Sequence, residues 1–135
     1  MVNKKESTFS LLFAFGRLVR SRTEARGALP MSQLEALHYV AEAKRPTMQE
    51  VAHHQCVSAP SATAIIEELA EAGYLTRVRD TNDRRQVRLA LTVRGRAALR
   101  RSFAARKRAV EQILSGLYAQ ERVVFHRVLQ HIVNA

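Results

Sequence analysis

Residues 74–92, YLTRVRDTNDRRQVRLALT, decide the fold of this chain. Apolar and polar side chains alternate over 74–79 and again over 86–91, which is the period-two pattern of β-strands. The segment 80–85 between them is entirely polar and predicts a turn. The stretch is therefore expected to form a β-hairpin with a strongly charged tip.

Two short helical patterns come directly before this hairpin. Thr47-Met-Gln-Glu50 has the form of a capping box, in which the threonine and glutamate side chains satisfy free amides at a helix start. A second helix is predicted over 58–72, with a small polar beginning, and Gly73 suits a left-handed C-cap. Two short helices joined by a tight turn indicate a helix-turn-helix, and the hairpin that follows would be its wing.

Longer helices are predicted on both sides of this unit. One covers about 5–26, and two more follow the hairpin, over about 92–115 and 119–133. Another begins at Ser32, where Ser32-Gln-Leu-Glu35 again has the form of a capping box. The apolar faces of the terminal helices are broader than a lone surface helix needs, so we expect them to be buried between two chains.

The predicted fold class is mainly α with a small β-hairpin wing. It combines a winged helix-turn-helix with a helical dimerisation part built from the first, fifth and sixth helices. The expected boundaries are 31–92 for the DNA-binding region and 1–30 with 93–135 for the dimerisation region. Together these are expected to form one intertwined domain.

The charge balance favours a polyanionic partner. The 135 residues include 22 Lys+Arg against 12 Asp+Glu, a formal net charge of +10, and no acidic residue lies between Asp83 and Glu111. So much uncompensated positive charge repels itself unless a partner neutralises it, which favours nucleic acid.

Other classes of protein receive little support. One cysteine, Cys56, excludes an internal disulfide framework and fits a reducing cytosol, so a cytoplasmic protein is expected. His53 and His54 are too few beside it for a metal site, and neither metal nor cofactor is predicted. Phosphate loops and nucleophile motifs are absent, which argues against an enzyme. No apolar run approaches the ~18 residues of a membrane span, so no membrane partner is expected.

The order and spacing of several short motifs resemble the MarR family of winged helix-turn-helix regulators. The similarity runs from about Met31 to Ala98. Its most specific part is Arg77…Asp80…Asp83-Arg84-Arg85…Leu89…Leu91-Thr92…Gly95.

The resemblance implies a sequence-specific transcriptional regulator, a repressor released by a small-molecule effector. It implies an obligate homodimer whose recognition helices enter successive major grooves of a pseudo-palindromic operator, with the wings in adjacent minor grooves. Many family members release double-stranded DNA when they sense a small aromatic or anionic molecule, or an oxidant. Such an effector is expected where the dimerisation helices meet the winged region, because a small shift there changes the separation of the recognition helices.

The candidate DNA-binding residues lie in the wing and at two helix starts. Wing-tip guanidinium groups suit a narrow minor groove or phosphates, whereas the alternative is a solvated turn. Hydroxyls and free amides at a helix start suit phosphate oxygens, whereas the alternative is simple capping. The candidates are Thr47, Ser58, Ser61, Thr63, Ala64, Arg84 and Arg85, with Arg77 and Asp83 expected to brace the wing; Asp83 would pair with Arg77 or Arg85.

The predicted recognition helix departs from the family pattern. It contains no Lys or Arg, and Ala64 stands where many relatives carry a long polar side chain. Glu67 and Glu68 would repel phosphates if they faced DNA. These departures leave a second hypothesis open: a basic nucleoid-type protein that binds DNA with little sequence preference.

Overall fold

The computed structural model describes residues 6–135, which form six α-helices and one two-stranded antiparallel sheet. The predicted winged helix-turn-helix fold is confirmed. The start of the predicted first helix at residue 5, and residues 1–5 of the predicted dimerisation region, lie outside the described range. The elements are α1 (Thr8–Glu24), α2 (Met31–Ala43), α3 (Met48–Gln55), α4 (Ala59–Glu71), β1 (Leu75–Arg79), β2 (Val87–Leu91), α5 (Val93–Leu114) and α6 (Ala119–Val133).

Side-chain caps fix the start of the helix-turn-helix. The Thr47 hydroxyl accepts a hydrogen bond from the Glu50 amide, and the Glu50 carboxylate accepts one from the Thr47 amide. This confirms the predicted capping box. Ser58 caps α4 in the same way, accepting from the Ser61 amide at 3.3 Å. Gly73 follows α4 with φ of +79°, the left-handed conformation predicted for it.

The predicted capping box at Ser32 is wrong. Helix α2 begins one residue earlier, at Met31, after Pro30, and has no side-chain cap. Proline has a fixed φ that suits a helix start, and Pro30 has φ of −52°. Ser32 therefore already lies inside the first turn.

The core lies between α2, α3, α4, the sheet and the first half of α5. Close packing of branched apolar side chains from all these elements fixes the helix-turn-helix against the wing. Its largest fully buried apolar side chains are Leu37, Val51, Ile66, Leu69 and Leu89.

A tight junction joins the start of α5 to the turn between α4 and β1. The Thr92 hydroxyl donates to the Gly73 carbonyl at 2.6 Å and accepts from the Gly95 amide at 2.9 Å. The Tyr74 backbone lies directly against Gly95, where a β-carbon would overlap the Tyr74 carbonyl. Only glycine fits this close approach of two backbones.

Helices α1 and α6 bury almost none of their side chains within a single chain. Helix α6 has no buried residue, and Thr23 is the only buried residue of α1. The rings of Phe15 and Phe125 meet at 6.3 Å between centroids. Large apolar side chains are exposed on both helices, namely Phe9, Leu11, Leu12, Phe13 and Leu18 on α1 and Val123, Val124, Val128, Leu129, Ile132 and Val133 on α6. Over residues 6–135, no helix combines the length and apolar character needed to cross a membrane.

Candidate nucleic-acid interface

The tip of the wing is an ordered turn. The Asp80 carboxylate accepts from the Asn82 amide at 2.9 Å, and the Asp83 carboxylate accepts from the Arg85 amide at 3.0 Å. Such local bonds from aspartate side chains stabilise tight turns. Arg84 and Arg85 are exposed at this tip, and neither side chain forms an ion pair with any described residue.

An ion pair braces the base of the wing. Arg88 Nε donates to Asp80 Oδ2 at 2.7 Å, and Arg88 Nη1 donates to the Arg45 carbonyl at 3.0 Å. The hydrogen bond from Arg88 lowers the pKa of Asp80 below its ordinary value, and the same bond raises the pKa of Arg88. Arg45 has φ of +64° in the loop between α2 and α3. The brace therefore ties the wing to the helix-turn-helix.

This ion pair is not the one expected from the sequence. Val78 lies opposite Arg88 in the hairpin, so Asp80, two residues further along, is the diagonal neighbour of Arg88 on the same face. Arg77 lies opposite Leu89 on the other face. Within the described part of the chain, Asp83 forms no ion pair, and its contact with Arg85 is through the backbone amide alone. Of the two arginines that Asp83 was expected to brace, it contacts Arg85, through the backbone amide and without an ion pair.

The wing lies against the start of α3. The Leu89 amide donates to the Pro46 carbonyl at 2.9 Å, and Thr47 forms a β-bridge with Arg88. Beside this contact, an open cleft of about 470 Å³ lies between the two elements. It is lined by Thr47, Met48, Gln49, Asp83, Arg85, Gln86 and Val87. Three of the predicted site residues, Thr47, Asp83 and Arg85, are thus brought together.

The start of α4 presents a small polar surface. Ser58 and Ser61 are exposed, with their hydroxyl oxygens 2.9 Å apart. The Thr63 hydroxyl donates to the Ala59 carbonyl at 2.9 Å, which occupies its only donor. Ala64 is exposed and adds only a methyl group. Ser58 and Ser61 therefore supply most of the polar side-chain chemistry at this end.

The adjacent glutamates Glu67 and Glu68 of α4 differ in their surroundings. Gln33 Nε2 donates to Glu68 Oε2 at 2.6 Å, which holds that carboxylate toward α2. Glu67 is exposed, without a hydrogen bond or ion pair among the described residues. The Glu68 carboxylate is therefore oriented toward α2 and keeps its negative charge, because Gln33 is neutral.

A second cavity, of about 520 Å³, lies between α2 and α5, and its walls are mainly apolar. Arg106 is one of five polar or charged residues in the lining: its Nη2 donates to the Leu29 carbonyl at 2.8 Å, while its Nε is buried without a hydrogen-bond partner among the described residues. The ring of His38 meets that of Phe103 edge-on at 5.1 Å. The lining residues are Met31, Leu34, Glu35, His38, Phe103, Arg106, Lys107, Val110 and Glu111.

His54, close to Cys56 in the sequence, packs against an aromatic ring. His54 stacks on Tyr39 with ring centroids 4.1 Å apart. Cys56 is exposed and ends α3 with φ of +53°. Across residues 6–135, no three His, Cys, Asp or Glu side chains come together as a group that could hold a metal ion.

A helix-turn-helix followed by a braced, arginine-tipped hairpin defines the winged-helix class of DNA-binding proteins. Residues 29–87 match the family model described as MarR family. This part of the chain, fewer than half of its residues, is thus similar to a family of transcriptional regulators. The match ends within the wing and omits the terminal helices, which the sequence resembled only by pattern.

Curated proteins and solved structures extend the similarity to nearly the whole chain. The transcriptional repressor Rv2887 of Mycobacterium tuberculosis is 25% identical over 125 residues, covering 90% of each protein. Its structure in complex with salicylic acid has a TM-score of 0.72 at 23% identity, covering 96% of this chain and 98% of that one. The homoprotocatechuate degradative operon repressor of Escherichia coli is 24% identical over 108 residues, covering 80% of this chain and 73% of the repressor.

A further structure comes from a study of DNA binding. It is BpsR of Bordetella bronchiseptica, described as regulated in its DNA binding by 6-hydroxynicotinic acid. It has a TM-score of 0.71 at 23% identity and covers 100% of this chain and 99% of its own. The shared fold therefore includes α1, α5 and α6 as well as the winged region.

Proposed function

We propose that this protein is a dimeric, sequence-specific repressor that acts in the cytoplasm and releases its operator on binding a small aromatic anion. The observation that carries the proposal is the cleft between α3 and the wing. There Thr47 at a helix start and Arg85 at the wing tip line one surface. The relatives Rv2887 and the homoprotocatechuate operon protein are both named repressors.

DNA would be held by two elements with different chemistry. The free amides and hydroxyls at the start of α4 suit phosphate oxygens and base edges, with Ser58 and Ser61 as the side chains in reach. Arg84 and Arg85 would enter the minor groove or clamp phosphates. Because the recognition helix has no cation, most of the electrostatic affinity is assigned to the wing.

The dimer would form through the helices that a single chain leaves uncovered. Residues 1–30 and 93–135 are proposed as the dimerisation region, and 31–92 as the DNA-binding region. The exposed apolar faces of α1 and α6 support this division, because so many large apolar side chains exposed together are unfavourable in water. Two-fold symmetry would then place two winged regions on the halves of a pseudo-palindromic operator.

The effector is assigned to the cavity between α2 and α5. Its apolar walls suit an aromatic ring, and the guanidinium of Arg106, whose Nε has no hydrogen-bond partner among the described residues, suits a carboxylate at one end. Salicylic acid and 6-hydroxynicotinic acid, named with two of the similar structures, are both aromatic carboxylic acids. A ligand wedged between α2 and α5 would change the angle between the winged region and the dimerisation helices.

Calorimetry with salicylate tests the effector site. Arg106→Gln should weaken binding about tenfold or more, because a charge-assisted hydrogen bond is lost. Lys107→Gln is the matched control, since Lys107 lines the same cavity but is largely exposed and lies 3.9 Å from Glu111. Equal affinities for the two variants would remove Arg106 from the site, and no binding by the parent protein would exclude salicylate as a ligand.

Selection of bound sequences from a random DNA pool tests the repressor proposal. A repressor should enrich a two-fold symmetric site and hold it against excess random duplex. The nucleoid alternative is favoured by one observation: α4 offers hydroxyls and an exposed Ala64 but no long polar side chain. Failure to enrich any sequence, together with tight binding to all duplexes, would favour that alternative.

A further inference from the structure

A second concentration of positive charge lies away from the wing. Arg26, just after α1, and Arg100, Arg101 and Arg108 of α5 surround an open cleft of about 780 Å³. We call it the four-arginine cleft. Ala104 and Ala105 also line it, so small side chains leave space between the guanidinium groups.

The arginines of this cleft lack carboxylate partners. None of the four takes part in any ion pair within residues 6–135. Arg26 Nη2 donates to Gln112 Oε1 at 3.2 Å, and Arg108 Nε donates to the Ala104 carbonyl at 3.4 Å. Each guanidinium has five N–H donors, so most of the donors around the cleft remain available.

The cleft is separate from the effector cavity. The two sites share no lining residue: 100, 104 and 108 repeat every four positions along one face of α5, whereas 103, 106 and 110 line the α2–α5 cavity from an adjoining face. It also differs from the wing surface, since Arg100 lies eight residues beyond Thr92, about 12 Å along the helix. The DNA contacts and effector contacts proposed above use none of these arginines, and the apolar residues that support the proposed dimer interface lie on α1 and α6.

We propose that the four-arginine cleft is a phosphate-binding site. Guanidinium groups match phosphate geometry with paired hydrogen bonds, and several converging on one open space are mutually repulsive until an anion enters. The phosphates could belong to the backbone of bound DNA, which rests on the proposed function, or to a free polyphosphate compound, which does not. The same chemistry serves both sources, and two measurements separate them.

The test compares two double variants of the full-length protein. Arg101→Gln with Arg108→Gln removes two charges from the cleft. Arg122→Gln with Arg127→Gln is the matched control, because it removes two charges from exposed positions on α6. Both variants lower the net charge equally, so a difference between them reports position and not total charge.

The first measurement is a calorimetric titration with sodium pyrophosphate at low salt. Binding should weaken tenfold or more in the cleft variant and remain at the parent value in the control. That result supports the site and identifies a free polyphosphate as a ligand.

The second measurement is the salt dependence of binding to duplex DNA. Loss of two phosphate contacts should make the slope of log affinity against log salt shallower by about two in the cleft variant only. That result supports the site and identifies the DNA backbone as the source of its phosphates.

Matching behaviour of cleft and control variants in both measurements would overturn the proposal. A parent protein that binds no duplex would contradict the repressor function instead. The pyrophosphate titration would still show whether the four-arginine cleft binds phosphate.

Discussion

At the scale of single residues, the wing assigns different roles to chemically identical side chains. Arg88 is held by the Asp80 carboxylate and the Arg45 carbonyl, so its guanidinium is committed to the fold. Arg84 and Arg85, only a few residues earlier, have no such partner and remain available to a polyanion. The position of each arginine in the hairpin, rather than its type, decides its role.

Arg84→Ala and Arg85→Ala should each lower DNA affinity about tenfold or more, because each removes a charge-assisted contact. The salt slope should become shallower by about one unit if the lost contact is to a phosphate. A minor-groove contact should instead penalise A·T-rich flanks most. Titrations at several salt concentrations, on sites with varied flanks, separate the two cases.

Ser61→Ala provides the comparison for these wing variants. It should cost less affinity than either, because its hydroxyl already contacts Ser58 and carries no charge. If both arginine variants bound like the parent while Ser61→Ala abolished binding, the assignment of affinity to the wing would be wrong.

The brace of the wing should be sensitive to acid. The pKa of Asp80 is lowered in the folded protein by the hydrogen bond from Arg88, so the pair stabilises the fold above the ordinary pKa of aspartate. This contribution is lost as pH falls through the lowered folded pKa. Asp80→Asn should therefore melt below the parent at neutral pH, and the difference should shrink in acid. Melting curves from about pH 7 down to about pH 3 measure it, spanning the ordinary value near 3.9; a constant difference would contradict the brace.

At the scale of helices and strands, local signals predicted most of the structure. The caps at Thr47 and Thr92 and the glycine at Gly73 fixed three boundaries because each acts through backbone groups within a few residues. The capping box predicted at Ser32 was wrong because the helix begins one residue earlier, directly after Pro30.

The wing brace was not predictable from local signals. It depends on the register that places Arg88 diagonal to Asp80, and on a carbonyl more than forty residues away, at Arg45. The alternation of the strands could have indicated the Asp80–Arg88 diagonal once a register was assumed. Nothing in the local sequence indicates the Arg45 contact. The cavity with Arg106 is likewise a product of packing between α2 and α5.

Thr92→Ala should destabilise the protein by about 2 kcal/mol, because it removes a helix cap and leaves the Gly73 carbonyl without its donor. Thr92→Ser keeps both hydrogen bonds and is the matched control. Urea unfolding at one fixed protein concentration measures the difference. Equal loss in both variants would assign the effect to the methyl group instead.

At the scale of the whole molecule, stability should depend on association. Sedimentation at micromolar concentration should give twice the chain mass of 15.2 kDa, and the melting temperature should rise with protein concentration. Ile132→Asp should shift the equilibrium toward monomer, because it places a charge on the apolar face of α6.

Val93→Asp is the control for this prediction. Val93 is the first residue of the proposed segment 93–135, but it is 85% exposed at the end of α5 next to the wing, away from the apolar faces of α1 and α6 that support the interface. A sharp monomer boundary for the parent protein, or equal dissociation by both variants, would rule out the proposed interface.

The close approach of Gly95 to Tyr74 has a mechanical consequence. With Thr92 bonded to both sides of the junction, the first turn of α5 has no independent freedom relative to the α4–β1 turn. The first turn of the 22-residue helix α5, which is about 33 Å long, therefore moves together with the winged region. If the end of α5 beside α6 tilted by a few degrees, the recognition helix would move with it. In the proposed dimer, the spacing of the two recognition helices would thus depend on the far end of α5, about 30 Å along the helix from this junction.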